Sequence, residues 1–514
     1  PGVYTFANSL RPVKAFSFAS DMEVQSAYYS ADLGYKSYIN LSATGRVDHL
    51  STLPKGNNTF FYPSFGLSTV ISDYVTLPSA ISFLKARASY ANVKDGLTRS
   101  TIGSTPSGSF PVGYGVDYAS SYDGPSYANS VGYTIAPGYN LLPSASYSDK
   151  LDNASLKPNS TEQIEAGLEL SFLKNRISGE VTYFTSNDGP RIFNRDLSQT
   201  TGYTNAIVNG IRTQKTGWEV SLKATPVKTQ AFKWDIVLNW STYKEVLKEI
   251  YGNISSLPSN YFVSGNPSNI TLNIGDRIDP VIVSTYARTA DGQIINDAGG
   301  RPIVLPRSTF QGYANPDWVY GINNKFSYKN WSMNILLDGR VGGVIEDYIR
   351  RQSFRGGRNI ETVEGALGAA REQDVKGIKS YIGEGVKIVE GTPTYDPTTG
   401  AITNMSQLKF ASNDIKTFVQ DYISRYYSTS EGNMMSKTFS KIREITISYN
   451  VPAQLLNRTP FKQASVSFVG RNLFYFVDSK HSGVDLDQYT GLSTSTGLQT
   501  PTMKRFGVNL NLVF

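Results

Sequence analysis

Segments in which apolar and polar residues alternate run through most of this 514-residue chain. Because successive side chains of a strand point to opposite faces, each such segment presents one apolar and one polar face. The high counts of Tyr, Phe and Gly, which are 33, 25 and 45, also favour pleated strands and turns over helices. The pattern therefore predicts an all-β chain. In the last segment, the apolar face consists of Phe506, Val508, Leu510, Leu512 and Phe514.

The alternating segments predict thirteen strands separated by two kinds of connection. The strands are expected at 23–34, 37–48, 59–73, 82–95, 161–172, 175–187, 213–224, 229–244, 316–328, 331–341, 437–450, 462–476 and 502–514. Tight turns are expected near 35–36, 174–175 and 329–330, and long loops at about 96–160, 188–212, 245–315, 342–436 and 477–501. Short turns on one side of a sheet and long loops on the other are the layout of an outer-membrane β-barrel.

A soluble β-sandwich would show the same alternation, so aromatic residues decide between sandwich and barrel. Phe506 and Phe514 lie at the two ends of one apolar face, and Trp234 and Trp240 bracket another. The first spacing is roughly 26 Å along a strand and about 20 Å across a membrane when the strand is tilted, which is close to the height of a lipid-facing band. No run reaches the roughly eighteen apolar residues that a membrane-spanning helix needs. We therefore predict a transmembrane antiparallel β-barrel.

Composition argues against several other classes of protein. The absence of Cys excludes disulfides and thiolate-bound metals. A formal net charge of +7 is modest for this length, and acids and bases are interleaved, so the basic surface of a nucleic-acid binder is not indicated. We expect no cofactor, no metal site and no nucleic-acid partner.

Seven motifs, in order along residues 20–514, resemble the SusC/RagA-like TonB-dependent outer-membrane transporters of Bacteroidetes. They are FYPSFGLS (61–68), LKARASY (84–90), GLELSFLKNRI (167–177), KTGWEV (215–220), ANPDWVYGI (314–322), IREITISYNVP (442–452) and GRNLF (470–474). The resemblance implies a barrel of about 22 strands. It also implies an N-terminal plug inside the barrel and a SusD-like surface lipoprotein that acts as a lid.

The number of predicted strands bears on the organisation of the chain. Thirteen is odd, whereas bacterial single-chain barrels close with an even number of strands. We therefore expect residues 1–22 to be an extracellular loop segment and 23–514 to be the C-terminal part of the barrel, with the plug and the first strands not present. The resemblance also implies that the last apolar face, from residue 506 to residue 514, is the signal read by the outer-membrane insertion machinery.

The resemblance implies a function in the cell outer membrane, where lipid and lipopolysaccharide surround the barrel. Such transporters import oligosaccharides or oligopeptides with the lipoprotein lid, and TonB supplies energy through the plug. The alternative is a barrel of the same ancestry that serves as a structural scaffold in a larger envelope complex for secretion or biogenesis. No enzymatic activity is expected. Specificity would come from the loops and from polar lumen residues such as Glu165, Glu169, Glu219 and Lys223.

Two groups of loop residues are candidates for contacts with the substrate or the lid. The first is Arg350, Arg351, Arg355 and Arg358, because guanidinium groups bind carboxylates and phosphates through paired hydrogen bonds. The second is Tyr114, Tyr118, Tyr122 and Tyr127, because tyrosine suits sugar stacking, peptide contact or lid docking. The alternatives are a solvated loop edge for the arginines and a loop packed on itself for the tyrosines. Nearby, 416–427 has the spacing of a short amphipathic helix packed on the barrel mouth.

Neither of the two histidines is predicted to be catalytic. His49 is expected in a tight turn, and His481 in a loop near Asp478 and Asp485, but no nucleophile motif accompanies them. The segment VDLD at 484–487 could offer two carboxylates to a cation, yet hard cations take about six or more oxygen ligands. A solvated loop is expected there instead.

Overall fold

Thirteen long strands form one antiparallel sheet in which each strand pairs with the next long strand along the chain. The computed structural model describes residues 23–36, 38–95, 133–137, 142–147, 150–252, 254–481, 483–498, 500 and 502–514. The long strands are β1 (Val24–Tyr35), β2 (Ile39–Leu50), β3 (Thr59–Val70), β4 (Ile81–Asp95), β5 (Asn159–Phe172), β6 (Ile177–Asp196), β7 (Asn205–Lys228), β8 (Phe232–Glu249), β9 (Trp318–Tyr328), β10 (Trp331–Val341), β11 (Phe439–Asn450), β12 (Gln463–Phe476) and β13 (Arg505–Val513). A fourteenth, Lys150–Leu151, pairs in parallel with the start of β7.

The predicted alternation of short and long connections is confirmed for most of the sheet, but β6 and β7 are joined by a short connection, 197–204. Three of the hairpin turns contain non-glycine residues with positive φ: 47° at Lys36, 64° at Asn175 and 51° at Lys329. The tightest hairpins need this left-handed conformation, because it matches the twist of the two strands that they join. The described residues 250–252, 254–317 and 342–438 form long connections at the opposite end of the sheet.

The prediction of a long loop at 188–212 is wrong, because β6 and β7 continue through most of that segment. Near its start, β7 buries apolar side chains on both faces: Ala206, Ile207, Val208 and Ile211. Ile207, for example, packs against Leu156 in a buried cluster. A strand that is covered on both faces does not alternate, so the period-two pattern stops before the strand does.

The register of the sheet gives it one apolar and one polar face. On the outer face, a row of paired residues runs across β5 to β8: Leu168, Val181, Val220 and Trp240. On the inner face, the neighbouring row is Glu169, Glu180, Ser221 and Asn239. Leu168 is 48% exposed, and similar apolar side chains cover the outer face of most strands. An apolar surface of this extent suits lipid rather than water.

Aromatic side chains gather at the short-turn end of the sheet. Three ring pairs have centroids 4.7 to 5.8 Å apart: Trp234 with Phe326, Trp331 with Tyr449, and Phe461 with Phe514. Aromatic rings favour the boundary between lipid and water, where they form the girdles of membrane barrels. These pairs therefore mark one border of the apolar band.

The long connections fold into a layer of their own, which we call the loop layer (250–317, 342–438 and 477–504). It holds the helices α1 (Tyr348–Arg355), α2 (Gly365–Val375) and α3 (Val419–Ser428), whereas α4 (Ala453–Leu456) lies between β11 and β12. Its short strands are Ser256–Pro258, Thr271–Asn273, Pro280–Val283, Ile295–Asn296, Thr309–Tyr313, Val344–Glu346, Tyr381–Ile382, Val386–Glu390, Lys409–Ser412, Lys416–Thr417 and Met434–Ser436. A further pair, Tyr133–Pro137 with Pro143–Tyr147, lies between β4 and β5.

The buried apolar clusters lie in the loop layer or at the strand ends next to it. One cluster joins Leu247 of β8 to Leu257 and Leu272, and another joins Phe354 of α1 to Ile423 of α3. Because one face of the sheet meets lipid and the other meets the lumen, the sheet itself encloses no dry core. The buried apolar clusters of the loop layer take the place of such a core.

The helices α1 and α3 are short and amphipathic. The helix predicted at 416–427 is confirmed as α3, which buries Val419, Tyr422 and Ile423. Asp347 caps α1, since its carboxylate accepts a hydrogen bond of 2.8 Å from the backbone N–H of Arg350. Within the described part of the chain, no helix is both long enough and apolar enough to cross a membrane.

A charge on the outer face should destabilise the folded protein in lipid. Leu168→Arg places a guanidinium against the acyl chains and should lower the free energy of unfolding by about 2–4 kcal/mol. Glu169→Arg is the matched control, because the next side chain along β5 faces the polar lumen. Urea unfolding in lipid vesicles measures both. Equal destabilisation by the two substitutions would contradict the assignment of the faces.

Candidate functional site

Charged side chains on the inner face of the sheet bond to one another across neighbouring strands. Arg87 on β4 lies 2.5 Å from the carboxylate of Glu180 and donates to the Thr182 hydroxyl at 2.8 Å. It also approaches Glu165 at 3.6 Å. Gly167 makes this reach possible, because a Cβ atom there would lie 2.9 Å from the Arg87 side chain. The predicted lumen residues Glu169, Glu219 and Lys223 share this face.

A second charge network is built on a β-bulge in β11. The register with β10 shifts by one residue between Ile442 and Glu444, so Arg443 has no partner across the ladder. A bulge turns the extra side chain out of the regular alternation, and here it places the guanidinium over the inner face. Arg443 Nε lies 2.7 and 2.8 Å from the two carboxylate oxygens of Asp338, and its Nη2 lies 2.5 Å from Asp487.

The segment at 484–487 is not the solvated loop that was predicted. Val484 and Leu486 are buried in the loop layer, while the two carboxylates between and after them turn towards the sheet. Asp485 lies 3.3 Å from the ammonium of Lys441, and Asp487 bonds to Arg443. The sequence did contain a signal for this, because apolar and carboxylate residues alternate in V-D-L-D, although the structure has a 3-10 helix from Leu486 to Gln488 rather than a strand.

The environment of Asp485 favours its ionised form. Burial raises the pKa of this carboxyl, but hydrogen bonds from the Thr502 hydroxyl and backbone N–H and the charge of Lys441 outweigh burial, and the pKa falls to about 2. The pKa of Asp487 is also lowered, chiefly by its bonds to Arg443. These carboxylates already have cationic partners from the protein. Across the described ranges, no cluster of three or more His, Asp or Glu side chains is arranged to hold a metal ion.

A cavity of about 580 Å³ lies against the inner face between the two charge networks. Residues from β4 to β11 line it, among them Arg87, Glu180, Glu219, Asn239, Asp338 and Arg340. The lining mixes acids, bases and amides, so it offers both donors and acceptors of hydrogen bonds. Such a surface can hold a polar solute, but it contains no paired nucleophile and base.

The predicted arginine group does not form a single site. Its segment is the helix α1 rather than a loop. Arg350 bonds to both carboxylate oxygens of Glu361 at 2.6 and 3.0 Å, and Arg351 lies 3.3 Å from Glu346. Arg355 and Arg358 are exposed. Two of the four arginines therefore hold the loop layer together, and a role in contacts stays a prediction for the exposed pair.

The other predicted contact residues are placed as follows. Tyr114, Tyr118, Tyr122 and Tyr127 lie outside the described residues. Phe506, Val508 and Leu510 are exposed on the outer face of β13, with Phe506 at 78%, and Leu512 is partly covered. Phe514 contacts Phe461.

The two histidines serve local structure. His49 does not lie in a turn as predicted, because β2 continues through it and pairs it with Thr59, whose hydroxyl is 2.8 Å from Nδ1. His481 Nδ1 lies 3.1 Å from the carboxylate of Asp347, the residue that caps α1. His481 thus joins two parts of the loop layer rather than a triad.

Sequence reasoning missed a cluster of stacked tyrosines in the loop layer. Tyr286, Tyr422 and Tyr426 have ring centroids 5.0 and 5.6 Å apart along the stack, and the Tyr286 hydroxyl donates to the backbone carbonyl of Tyr426 at 2.5 Å. Burial raises the pKa of Tyr426 to about 12, and the nearby carboxylate of Glu384 adds to this shift. The stack joins segments that are more than a hundred residues apart, so periodicity along the chain gives no sign of it.

The continuous antiparallel sheet, with its apolar outer face and charged inner face, is the wall of an outer-membrane β-barrel. No family model matches the chain. The TonB-dependent receptors P3 and P26 of Formosa agariphila are each 22% identical to it, over 97% and 89% of this chain and 46% and 42% of their own lengths. The receptor P39 of the same organism is 26% identical over 45% of this chain. The chain thus spans about half the length of the first two relatives.

Solved structures agree with this class. A chain of the RagAB peptide transporter matches 99% of this chain with a TM-score of 0.66, and one of the RagAB peptide importer in the open-open state matches all of it with a TM-score of 0.68. Each match is 14% identical in sequence and covers 50% of the solved chain, so it speaks for the fold. The predicted resemblance to TonB-dependent receptors of Bacteroidetes and the outer-membrane location are confirmed. The relatives are receptors and transporters, not enzymes.

Loss of Arg443 should loosen the loop layer at 484–487. Arg443→Met leaves the carboxylate of Asp338 without its cationic partner and leaves Asp487 only its 3.6 Å contact with Lys441. This should cost about 1–3 kcal/mol of local stability and make proteolysis there about 5- to 150-fold faster. Arg471→Met is the control, because its pair with Glu444 is more exposed and is worth about 0–1 kcal/mol. Limited proteolysis of the folded protein with mass spectrometry measures both. Equal cleavage rates would show that the Arg443 pairs do not anchor the loop.

Release of the same segment by acid should depend on Thr502. The pKa of Asp485 lies below its ordinary value, so anchoring by this carboxylate is complete above about pH 4 and is lost as the pH falls through about 2. Thr502→Val removes one hydrogen bond to the carboxylate and should move the release to a higher pH. Pepsin cleavage at a series of acidic pH values gives the two midpoints. Identical midpoints would exclude this role for the Thr502 hydroxyl.

Proposed function

We propose that the protein imports a polar oligomer, an oligosaccharide or an oligopeptide, across the outer membrane. The observation that carries this proposal is the inner face itself. Its paired charges and its cavity of about 580 Å³ offer a wet, polar path behind an apolar outer face. A wall of this kind suits solutes that exchange water for many weak hydrogen bonds.

Energy coupling and partners are part of the same proposal. The relatives are named TonB-dependent receptors, which supports coupling to TonB through a plug domain. The RagAB structures are described as a peptide transporter and a peptide importer, which supports a peptide substrate. The SusD-like lipoprotein lid is implied by the resemblance of the seven sequence motifs. The loop layer, with its own buried clusters, would offer a firm platform for such a lid. Residues 23–514 would form part of the barrel wall, and Arg355 and Arg358 would be available for contacts at its mouth.

A bulky side chain in the lumen should distinguish the import function from the scaffold function, because it would block the path of a solute. Gly321 lines the cavity, and nothing lies within 4 Å of a Cβ atom added there. Gly321→Trp should therefore fill the path without straining the wall and should reduce nutrient uptake several-fold. Gly66→Trp is the matched control, because Gly66 also faces the lumen, lies away from the cavity and would meet only Ser42 at 3.8 Å.

The test is growth of the native host with a peptide mixture or a polysaccharide as the sole nutrient. We expect deletion of the gene and Gly321→Trp to slow growth on the same nutrient, while Gly66→Trp grows normally at an equal surface level. Affinity purification from these cells should bring down a lipoprotein partner. A deletion phenotype that is equal on all nutrients and is not reproduced by Gly321→Trp would favour the scaffold function instead.

A further inference from the structure

Arg340, near the long-loop end of β10, is a buried cation at the edge of the lumen cavity. Its side chain lines the cavity, yet the residue is only 7% exposed. Nη1 donates to the backbone carbonyl of Tyr489 at 3.2 Å, and the guanidinium lies 5.0 Å from the centre of the Phe439 ring. These two contacts fix the plane of the guanidinium.

Two nitrogens on one edge of this guanidinium lack a partner. Neither Nε nor Nη2 of Arg340 has a hydrogen-bond partner among the described residues, although both are buried. The other two arginines at the cavity are paired, Arg87 with Glu180 and Arg443 with Asp338 and Asp487. A buried, unpaired charged donor is costly, so an acceptor from a bound molecule would stabilise it.

A second buried cation lies close to Arg340. Lys437 is 1% exposed, and its ammonium donates to the backbone carbonyl of Ala314 at 2.9 Å. Burial, and then the positive charge of Arg340, lower the pKa of Lys437 to about 8. An anion beside Arg340 would therefore accept hydrogen bonds from Nε and Nη2, and it would also reduce the repulsion between Arg340 and Lys437.

The geometry points to a carboxylate as the ligand of Arg340. The edge formed by Nε and Nη2 matches the two oxygens of a carboxylate in a bidentate pair. Glu180, Glu219 and Asp338 also line the cavity, and their charges would repel a doubly charged phosphate more strongly than a singly charged carboxylate. We propose that Arg340 binds a carboxylate group of the transported oligomer, either the C-terminus of a peptide or the acid group of a uronate sugar. This inference rests on the proposed transport function.

Binding of matched probes to the protein purified from its native host tests this assignment. Tetra-alanine and its C-terminal amide differ in one carboxylate, whereas trigalacturonate and neutral galactotriose differ in three, one on each sugar. The two pairs distinguish the sources of the group. In calorimetric titration, the wild type should bind the acidic member of one pair about 10- to 100-fold more tightly than its neutral partner. Arg340→Gln should remove that preference and leave binding of the neutral probe unchanged.

Two further variants control for misfolding of Arg340→Gln and for the loss of a positive charge elsewhere on the protein. Arg340→Lys keeps the charge but loses the paired geometry, so it should keep part of the preference and should still fold if Arg340→Gln does not. Arg458→Gln, an exposed arginine between β11 and β12, should keep the full preference. A wild type without preference for either acid, or a preference that survives Arg340→Gln, would overturn the assignment. The assignment would also be overturned if Arg340→Gln lowered the melting temperature and left the acid preference intact, because Arg340 would then have a structural role.

The growth experiment keeps this inference separate from the proposed function. If deletion of the gene and Gly321→Trp slow growth but the probes show no acid preference, transport stands and the role of Arg340 falls. If the acid preference is found but growth never depends on the protein, binding stands and import falls.

Discussion

The continuous backbone ladder from β1 to β13 is the constraint on which the rest of the structure depends. In lipid, an unpaired backbone N–H or C=O costs several kcal/mol, so each strand must take both of its neighbours in register. Once the register is fixed, the face of the sheet on which each side chain lies is fixed as well. The row from Leu168 to Trp240 meets lipid, and the adjacent row from Glu169 to Asn239 meets the lumen. One set of hydrogen bonds thus sets both surfaces of the wall.

A sheet with lipid on one side and a wet lumen on the other has no apolar core between its two faces. The folded protein therefore depends on the loops for its buried apolar clusters. Among the described residues, the buried apolar clusters lie at the long-loop ends of the strands and above the sheet, where the helices α1 to α3 and the tyrosine stack cover one another. Two kinds of contact anchor this layer to the wall. Apolar clusters at the strand ends join Leu247 to Leu257 and Leu272, and polar bonds join Asp485 to Lys441 and Asp487 to Arg443. The loop layer therefore keeps a fixed position over the lumen while the inner face below it stays wet.

Period-two alternation predicted the strands well because lipid and lumen differ so strongly on the two faces. The same rule failed at residues 206–211, where both faces are buried, and it gave no account of Arg443, which a bulge turns inward. Of the site, the sequence indicated a polar lumen and residues such as Glu165. It could not indicate Arg340 or the partners of Asp487, because those pairings join positions that are far apart along the chain and depend on register. The prediction of one binding site at the arginines near residue 350 failed for a related reason. Arg350 and Arg351 are adjacent in sequence but bond to different carboxylates, those of Glu361 and Glu346.

The pairing of charges on the inner face bears on how a solute could pass. Isolated charges along the path would bind a polar oligomer tightly at one point and hold it there. Arg87 with Glu180 and Arg443 with Asp338 neutralise one another across strands, so each still offers hydrogen bonds but little net charge. Passage requires binding that is favourable enough to admit the solute and weak enough to release it. A mostly neutralised wall meets the second requirement. Under the proposed import function, the buried guanidinium of Arg340 would meet the first requirement, because its Nε and Nη2 have no partner among the described residues.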